Sequence, residues 1–460
     1  MTAFRRTKWN FALDRAVEWA REYAKPLVIL EALRCDYPWA SDRFHRFVLD
    51  GMFEKAQGIS RSAALYYPYV ECRVGASKGL LAAAASRACV VVTDDFPGFF
   101  HPRMIQSAAR QLRVRLEAVD SNGLQPLHAA NRTFTTAYSF RRFLQKSLPA
   151  LLASFPKRDA LASLKLPPLK SLPKAITEEW PPTSAANLSD PIFLASLPIN
   201  HHVGAVSIRG GEVAATKALR KFLRDRLDEY STERNQPEKD ATSNLSPYLH
   251  FGHISAHQIF HELMKREKWS EAKIALRASG SRSGWWGLRE SAEGFLDQLI
   301  TWRELGFQEA SHNPDFECFD SLPHWARKTL AKHARDERRY NYRVEDFAAT
   351  RTHDLLWNAA QRQLVREGRI HNYLRMLWGK KILEWSRSPE EALEIMTELN
   401  NRYALDGRDP NSISGIFWCL GRYDRPWGPE RPIFGTVRYM SSDNTARKIQ
   451  VKGYIKKYAD

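Results

Sequence analysis

The sequence is sparing with cysteine. Its 460 residues carry five: Cys35, Cys72, Cys89, Cys318 and Cys419. No two stand as a CxxC pair, which excludes a thiolate zinc ribbon, and no metal is expected. Their odd number and wide scatter argue against a disulfide framework and point to a reducing, cytoplasmic compartment. No apolar run reaches the roughly 18–20 residues of a membrane span, and no membrane partner is expected. The opening MTAFRRTKWNF is basic without an apolar stretch, so it does not read as a signal peptide. No GxGxxG follows a strand-like run, which removes the standard dinucleotide fingerprint. No internal repeat is found. Acid is also scarce: 52 Asp+Glu face 69 Lys+Arg, for a net charge of +17. Such an excess suits a polyanionic partner, nucleic acid or an anionic surface, and equally serves solubility.

What is present is ample core material. Hydrophobic residues make up 43%, with 14 Trp, 16 Tyr and 23 Phe, which excludes general disorder. At roughly 100–200 residues per domain, the length allows two to four domains. Residues 1–150 alternate between helical and strand patterns. WNFALDRAVEWAREYA is helical, and PLVILEAL, ACVVVTDDF and RLEAVDS read as strands, the second following an Ala-rich helical stretch. Interleaved helices and apolar strands predict a parallel α/β domain. Residues 151–211, rich in Pro, Ser and Lys, read as an interdomain linker. From 212 to 460 the pattern is helical. EVAATKALRKFLRDRLDEY, SAHQIFHELMKRE, SAEGFLDQLITWREL, DLLWNAAQRQLVREG, HNYLRMLWGKKILEWSR and PEEALEIMTELNNRY all repeat near 3.6 residues. Ser388-Pro389-Glu390-Glu391 combines a cap, a first-turn proline and acids.

Several stretches of this second half carry chemistry-bearing groups. TSNLSPYLHFGHIS, Thr242 to Ser255, gathers hydroxyl and amide groups before a Pro-Tyr turn. Such a stretch can hold a phosphate at a helix start, or serve as an ordinary capped loop. Trp357 and Trp378 are 21 residues apart, and Trp378 and Trp385 are 7 apart. Both separations are near whole helical turns, which puts Trp378 and Trp385 on one face. An aromatic stripe of this kind is core, or else a chain of redox-active indoles. LNNRYALDGRDPNSISGIFW packs Asn, Asp and Arg into a turn region where Asp406 and Asp409 can cap helices or bind a metal, although DGRD has no recognised metal spacing. GRYDRPWGPERPIFGTVRYM is basic, aromatic and Pro-rich. It suits phosphate contacts and base stacking, or a structural wrap.

Taken together, THDLLWNAAQ, LRMLWGKKILEWSRSPEEAL, RYALDGRDPN and ERPIFGTVRYM resemble the photolyase/cryptochrome superfamily, in particular its class II cyclobutane-pyrimidine-dimer photolyases. RLDEYSTERN and TSNLSPYLHFG extend the resemblance, and KWNFALDRAVEWA and VVTDDFP carry it more weakly into the first half. The resemblance implies an α/β, Rossmann-like antenna domain followed by an all-α FAD-binding domain. It implies FAD, blue light, and electron donation to a dimer flipped out of UV-damaged duplex DNA. A deazaflavin-type antenna chromophore is the open second cofactor. The resemblance assigns Tyr230, Thr242, Ser243, Asn244, Leu245 and Ser246 to the flavin phosphates and ribityl chain. It assigns Arg375 and Asp406 to an ion pair beside the isoalloxazine, with Asp409 nearby. Asn400 or Asn411 would approach flavin N5. Trp378, Trp357 and Trp385 correspond, in that order outward, to a photoreduction triad. Trp302, Met376 and Trp418 correspond to walls of the dimer pocket. Arg425, Trp427 and Arg438 correspond to a loop filling the space left by the flipped bases.

The chain departs from the pattern at three places. Gln298 stands where a Glu contacts the dimer carbonyls, and glutamine donates a hydrogen bond but no transferable proton. Gln258 stands for an Arg. Asn372, in the cofactor set, stands where class II has Gly. Met1 also begins within what looks like the end of the family's first strand, which leaves open an upstream start and the antenna pocket. Two functions therefore stand side by side: repair of dimers, and a cryptochrome photoreceptor with weak or no repair and an unspecified signalling partner. Glutamine at 298 also leaves open cyclobutane against (6-4) lesions.

Overall fold

The computed structural model describes residues 1–459. They form two compact units: residues 1–127, 150–221 and 244–266, and residues 128–149, 222–243 and 267–459. Among the described residues no helix is long and apolar enough to cross a membrane.

The first unit is α/β. Leu27–Leu33 (β1) pairs in parallel with Ala64–Val70 (β2), and Val90–Asp95 (β3) with Arg115–Asp120 (β4). Parallel neighbours need a crossover rather than a tight turn. The helix Asp42–Ile59 supplies it for the first pair and His101–Gln111 for the second. The helix Phe11–Glu22 starts at Asn10, whose side chain accepts from the N–H groups of Ala12 and Leu13. Arg15 ties this helix to β4 through Glu117 at 2.8 Å.

β2, ALYYPYV, is not among the strands expected from the sequence, and it carries Pro68 inside it, which disfavours a strand. The fold accommodates that proline at an edge. Thr183 donates its N–H to Pro68 O at 2.8 Å, and its Oγ1 accepts from Val70 N at 2.9 Å. Leu172, Ile176 and Trp180 pack with Tyr67 and Tyr69 of the same strand. The Pro-rich segment thus lies along the outer side of β2 and covers the edge.

The second unit is helical around one large apolar cluster. Local signals set its element ends. Asp354 caps Leu355–Glu367 by accepting from Trp357 N, and Gly368 ends that helix at φ 67°. Asn372–Trp385 follows, then Pro389–Tyr403, capped by Ser388 with Pro389 in its first turn. Pro410–Cys419 is capped by Asp409. One segment departs from expectation. The stretch read as a single amphipathic helix is Glu290–Leu296, then a π-helical turn at Asp297–Trp302, then Arg303–His312. The last of these packs against Pro410–Cys419 at Gly306, where a Cβ would sit 2.8 Å from Pro410 O.

In the first unit, Glu71 is 1% exposed and joins two loops. It accepts from Cys35 N at 3.1 Å, Ser77 N at 3.0 Å and Ser77 Oγ at 2.8 Å. Burial alone would raise its carboxyl, but these donors outweigh burial and hold it below the ordinary range. A depressed carboxyl contributes stability above the unfolded value of about 4.3 and loses it as the pH falls through the folded one. Glu71→Ala is expected to cost about 2–4 kcal/mol at pH 7 by orphaning buried donors, with a smaller penalty at pH 3, as read by denaturant unfolding.

Candidate functional site

The residues singled out in the helical unit fall into two groups. The first is a buried stack. Trp357, Trp378 and Trp385 are exposed by 0%, 2% and 2%. The rings of Trp357 and Trp378 are nearly parallel, at 5°, with centroids 6.4 Å apart. Those of Trp357 and Trp385 are 6.0 Å apart at 68°. Trp357 therefore stands between the other two. The 21-residue spacing has no part in this, because the first helix ends at Gly368 and Trp378 lies on the next one. Trp357 instead reaches its neighbours by packing of Leu355–Glu367 on Asn372–Trp385. Its Nε1 donates to Trp378 O at 3.1 Å, and Trp378 Nε1 donates to Gln361 Oε1 at 2.8 Å. Gln361, absent from the sequence reading, was reachable from it: it lies one turn beyond Trp357.

Arg375 lies one turn before Trp378 on the same helix and pairs with Asp406 at 2.9 Å. Its Nε is buried without an acceptor, as is Nε2 of Gln361. Unmatched buried donors are costly, so both suit a ligand that brings acceptors. Asn400 is 2% exposed and its Nδ2 lies 3.0 Å from Ser412 Oγ. Asn411 is half-buried in the first turn of Pro410–Cys419, its N–H donating to Asp409 Oδ1 at 2.9 Å. Asn372 is exposed at the start of its helix. Tyr230 is buried edge-on against Phe222 and Phe295, and burial pushes its phenol up. Thr242 and Ser243 belong to this unit, whereas Asn244, Leu245 and Ser246 belong to the first. Asn244 has φ 57°, a left-handed turn that asparagine tolerates. Gln258 also lies in the first unit, buried, with Nε2 3.3 Å from Thr216 Oγ1.

The second group is basic and aromatic. Arg438 lies over Trp427 at 4.8 Å and over Trp418 at 5.8 Å, and Arg425 lies over Trp427 at 4.7 Å. Trp427 is anchored by Nε1 to Asp424 at 3.0 Å. Met376 approaches the same helix as Trp418 near Gly415. Gln298 and Trp302 are the second and last residues of the π-helical turn, both half-buried, while the three residues between them are buried. Single π turns frequently mark functional positions. No ring contact joins Trp302 to Trp418 among the described residues.

Sequence reasoning also passes over Lys380. It is 0% exposed, its Nζ donates to Cys419 O at 2.7 Å, and it lies 5.2 Å from the Trp418 ring centroid. It thus caps the end of Pro410–Cys419 and holds the indole that follows Phe417. Burial pushes its amine down to about 8.

No family model matches the chain. A helical unit joined in one chain to a parallel α/β unit is a fold shared with solved photolyases. A class III photolyase from Agrobacterium tumefaciens has this fold, with a TM-score of 0.64 at 16% identity over 99% of this chain and 85% of that one. The deoxyribodipyrimidine photo-lyase of Methanothermobacter thermautotrophicus is 33% identical over 457 residues, 99% of this chain and 92% of that protein. The deoxyribodipyrimidine photo-lyase of Arabidopsis thaliana is 33% identical over 98% of this chain and 86% of its own. The chain belongs to the photolyase/cryptochrome superfamily.

The buried lysine gives a test of this site. Its folded value near 8 lies below the unfolded 10.5, so between them the unfolded chain binds more protons and stability rises with pH. Wild-type protein is expected to gain up to about 3 kcal/mol relative to Lys380→Met between pH 8 and 10, measured by denaturant unfolding.

Proposed function

We propose that the protein is a blue-light-driven, FAD-dependent lyase of the class II type, acting on cyclobutane pyrimidine dimers in UV-damaged duplex DNA. The observation that carries this reading is the stack of three buried indoles at 6.4 and 6.0 Å, beside the Arg375–Asp406 pair. FAD, when bound, supplies a light-excited electron donor to the flipped-out dimer. Arg375, Asp406 and Asn400 or Asn411 would hold its ring system, and Tyr230, Thr242 and Ser243, with Asn244, Leu245 and Ser246, its phosphates and ribityl chain. The unmatched Nε of Arg375 and Nε2 of Gln361 fit a group rich in acceptors.

The indoles would relay electrons from an external reductant toward that cofactor, inward from Trp385 through Trp357 to Trp378. Both inner N–H groups donate to neutral, weakly basic oxygens, Gln361 Oε1 and Trp378 O, so the proton stays on the ring while the electron moves. Trp385 lies next to Tyr342 and His353 at 5.8 and 4.9 Å and completes the path on the other side. On the DNA side, Trp302, Met376 and Trp418 supply apolar walls for a flipped base. Arg425 and Arg438, spread on the face of Trp427, supply charge for the strand around the gap.

Gln298 supports a second reading, a cryptochrome-like photoreceptor. A neutral amide orients a carbonyl but cannot give it a proton. Two substitutions test the electron path and the choice between these readings in turn. Trp378→Phe is expected to abolish flavin photoreduction, read as bleaching of the oxidised flavin band under blue light; unchanged bleaching excludes the path. In a repair assay on defined dimers, Gln298→Glu is expected to raise the yield, toward the order of 10²-fold that a positioned proton donor contributes. Wild-type protein that restores no dimer, even fully reduced, leaves the photoreceptor reading.

A further inference from the structure

Two stretches of the helical unit carry no acid. Residues 128–149 hold Arg132, Arg141, Arg142 and Lys146, and residues 274–288 hold Arg277 and Arg282; neither contains Asp or Glu. The fold brings them together. Gln145 Oε1 accepts from Gly280 N at 2.7 Å, and its Nε2 donates to Ser281 O at 2.9 Å. Arg141 Nη1 donates to Gly280 O at 3.1 Å. From inside, the buried Glu293 gathers the N–H groups of Gly284 and Trp286. The loop is therefore built, not slack: its carboxylate anchor is beneath and its cations are outside. Gly280, at φ 77°, lies under the ring of Tyr138, which is 57% exposed.

The outward face holds Arg142, Lys146, Arg277 and Arg282, all exposed, beside Ser281 and Ser283. None of the four cations has an ion-pair partner among the described residues. Acid is not lacking nearby, since Arg289, just beyond the loop, pairs with both Asp228 and Glu267. Uncompensated cations with hydroxyls and a glycine-opened backbone are the usual inventory of phosphate contacts. The face is also tied to the lesion side. Arg141, which holds the loop, donates Nε to Asp297 Oδ1 at 2.8 Å, and Asp297 opens the turn that carries Gln298 and Trp302.

We propose that the loop 277–284 and the Tyr138–Arg142–Lys146 stripe of the helix Ala137–Leu151 together form a clamp for the phosphate backbone of duplex DNA. It lies outside the dimer pocket and gives affinity independent of damage. This rests on DNA being the partner proposed above. Cations that neutralise phosphates release counterions, so their contribution is read from salt dependence.

The test compares wild type with the variant R142A/K146A/R277A/R282A on undamaged and dimer-containing duplexes over a range of salt. Flavin absorption and thermal unfolding serve as checks of folding. The expected result is an equal loss of affinity for both duplexes, with a log–log salt slope shallower by about 0.9 for each contact removed. The charge-keeping R142K/R277K/R282K variant should retain the wild-type slope. An unchanged slope overturns the clamp. So does a loss confined to damaged DNA, which would put these residues in the pocket. Wild-type protein with no affinity for either duplex overturns both the clamp and the repair reading. A protein that binds with the predicted slope but repairs nothing sinks repair and leaves the clamp standing.

Discussion

The helical unit is arranged around the contact of Trp357 with its two neighbours. Three indoles in the interior bring three N–H groups that need acceptors away from water. Trp357 meets this by bonding to the backbone carbonyl of Trp378, so the partner that stacks with it also takes its proton donor. That single bond fixes the height of Leu355–Glu367 against Asn372–Trp385. The second helix then carries Arg375, Met376 and Lys380 at set positions along it, and each meets a different neighbour: Asp406, the Gly415 side of Pro410–Cys419, and the carbonyl of Cys419. A slip of one helix by a turn would break the stack and scatter all three.

The polar groups inside this unit divide by how completely they are matched. Asn400 has Ser412 and Asn401, and Lys380 has a carbonyl and an indole face. Arg375 and Gln361 are matched at one atom and open at another. The closed groups fix the scaffold. Of these two, Arg375 lies one turn from Trp378 on the same helix, and Gln361 bonds to the Trp378 indole from the neighbouring one.

Much of this was legible in the sequence wherever the determinant was local. Ser388-Pro389 and Asp409-Pro410 announce their helices because a cap and a first-turn proline act within four residues. β1, β3 and β4 show as apolar runs. β2 was hidden because its proline is tolerated only through Thr183, more than a hundred residues away. The stack was named by resemblance; the 7-residue spacing concerns only Trp378 and Trp385, which share the helix Asn372–Trp385, and says nothing of how Trp357 reaches them from the helix before it. Lys380 was illegible for another reason: a lysine pair inside LWGKKILEW reads as solvent-facing, and only the crossing of a second helix shows that one amine is enclosed.

The π-helical turn at Asp297–Trp302 has an evolutionary consequence. Such a turn is one residue longer than the α-helix it interrupts, and no side-chain exchange removes a residue from the backbone. Substitution at position 298 can therefore alternate between acid and amide while the neighbouring indole keeps its place. Losing one residue from the turn would instead swing Trp302 by about 100° relative to Gln298. A lineage carrying this turn can thus change the chemistry at position 298 by point mutation alone, while its architecture is protected by the rarity of deletions.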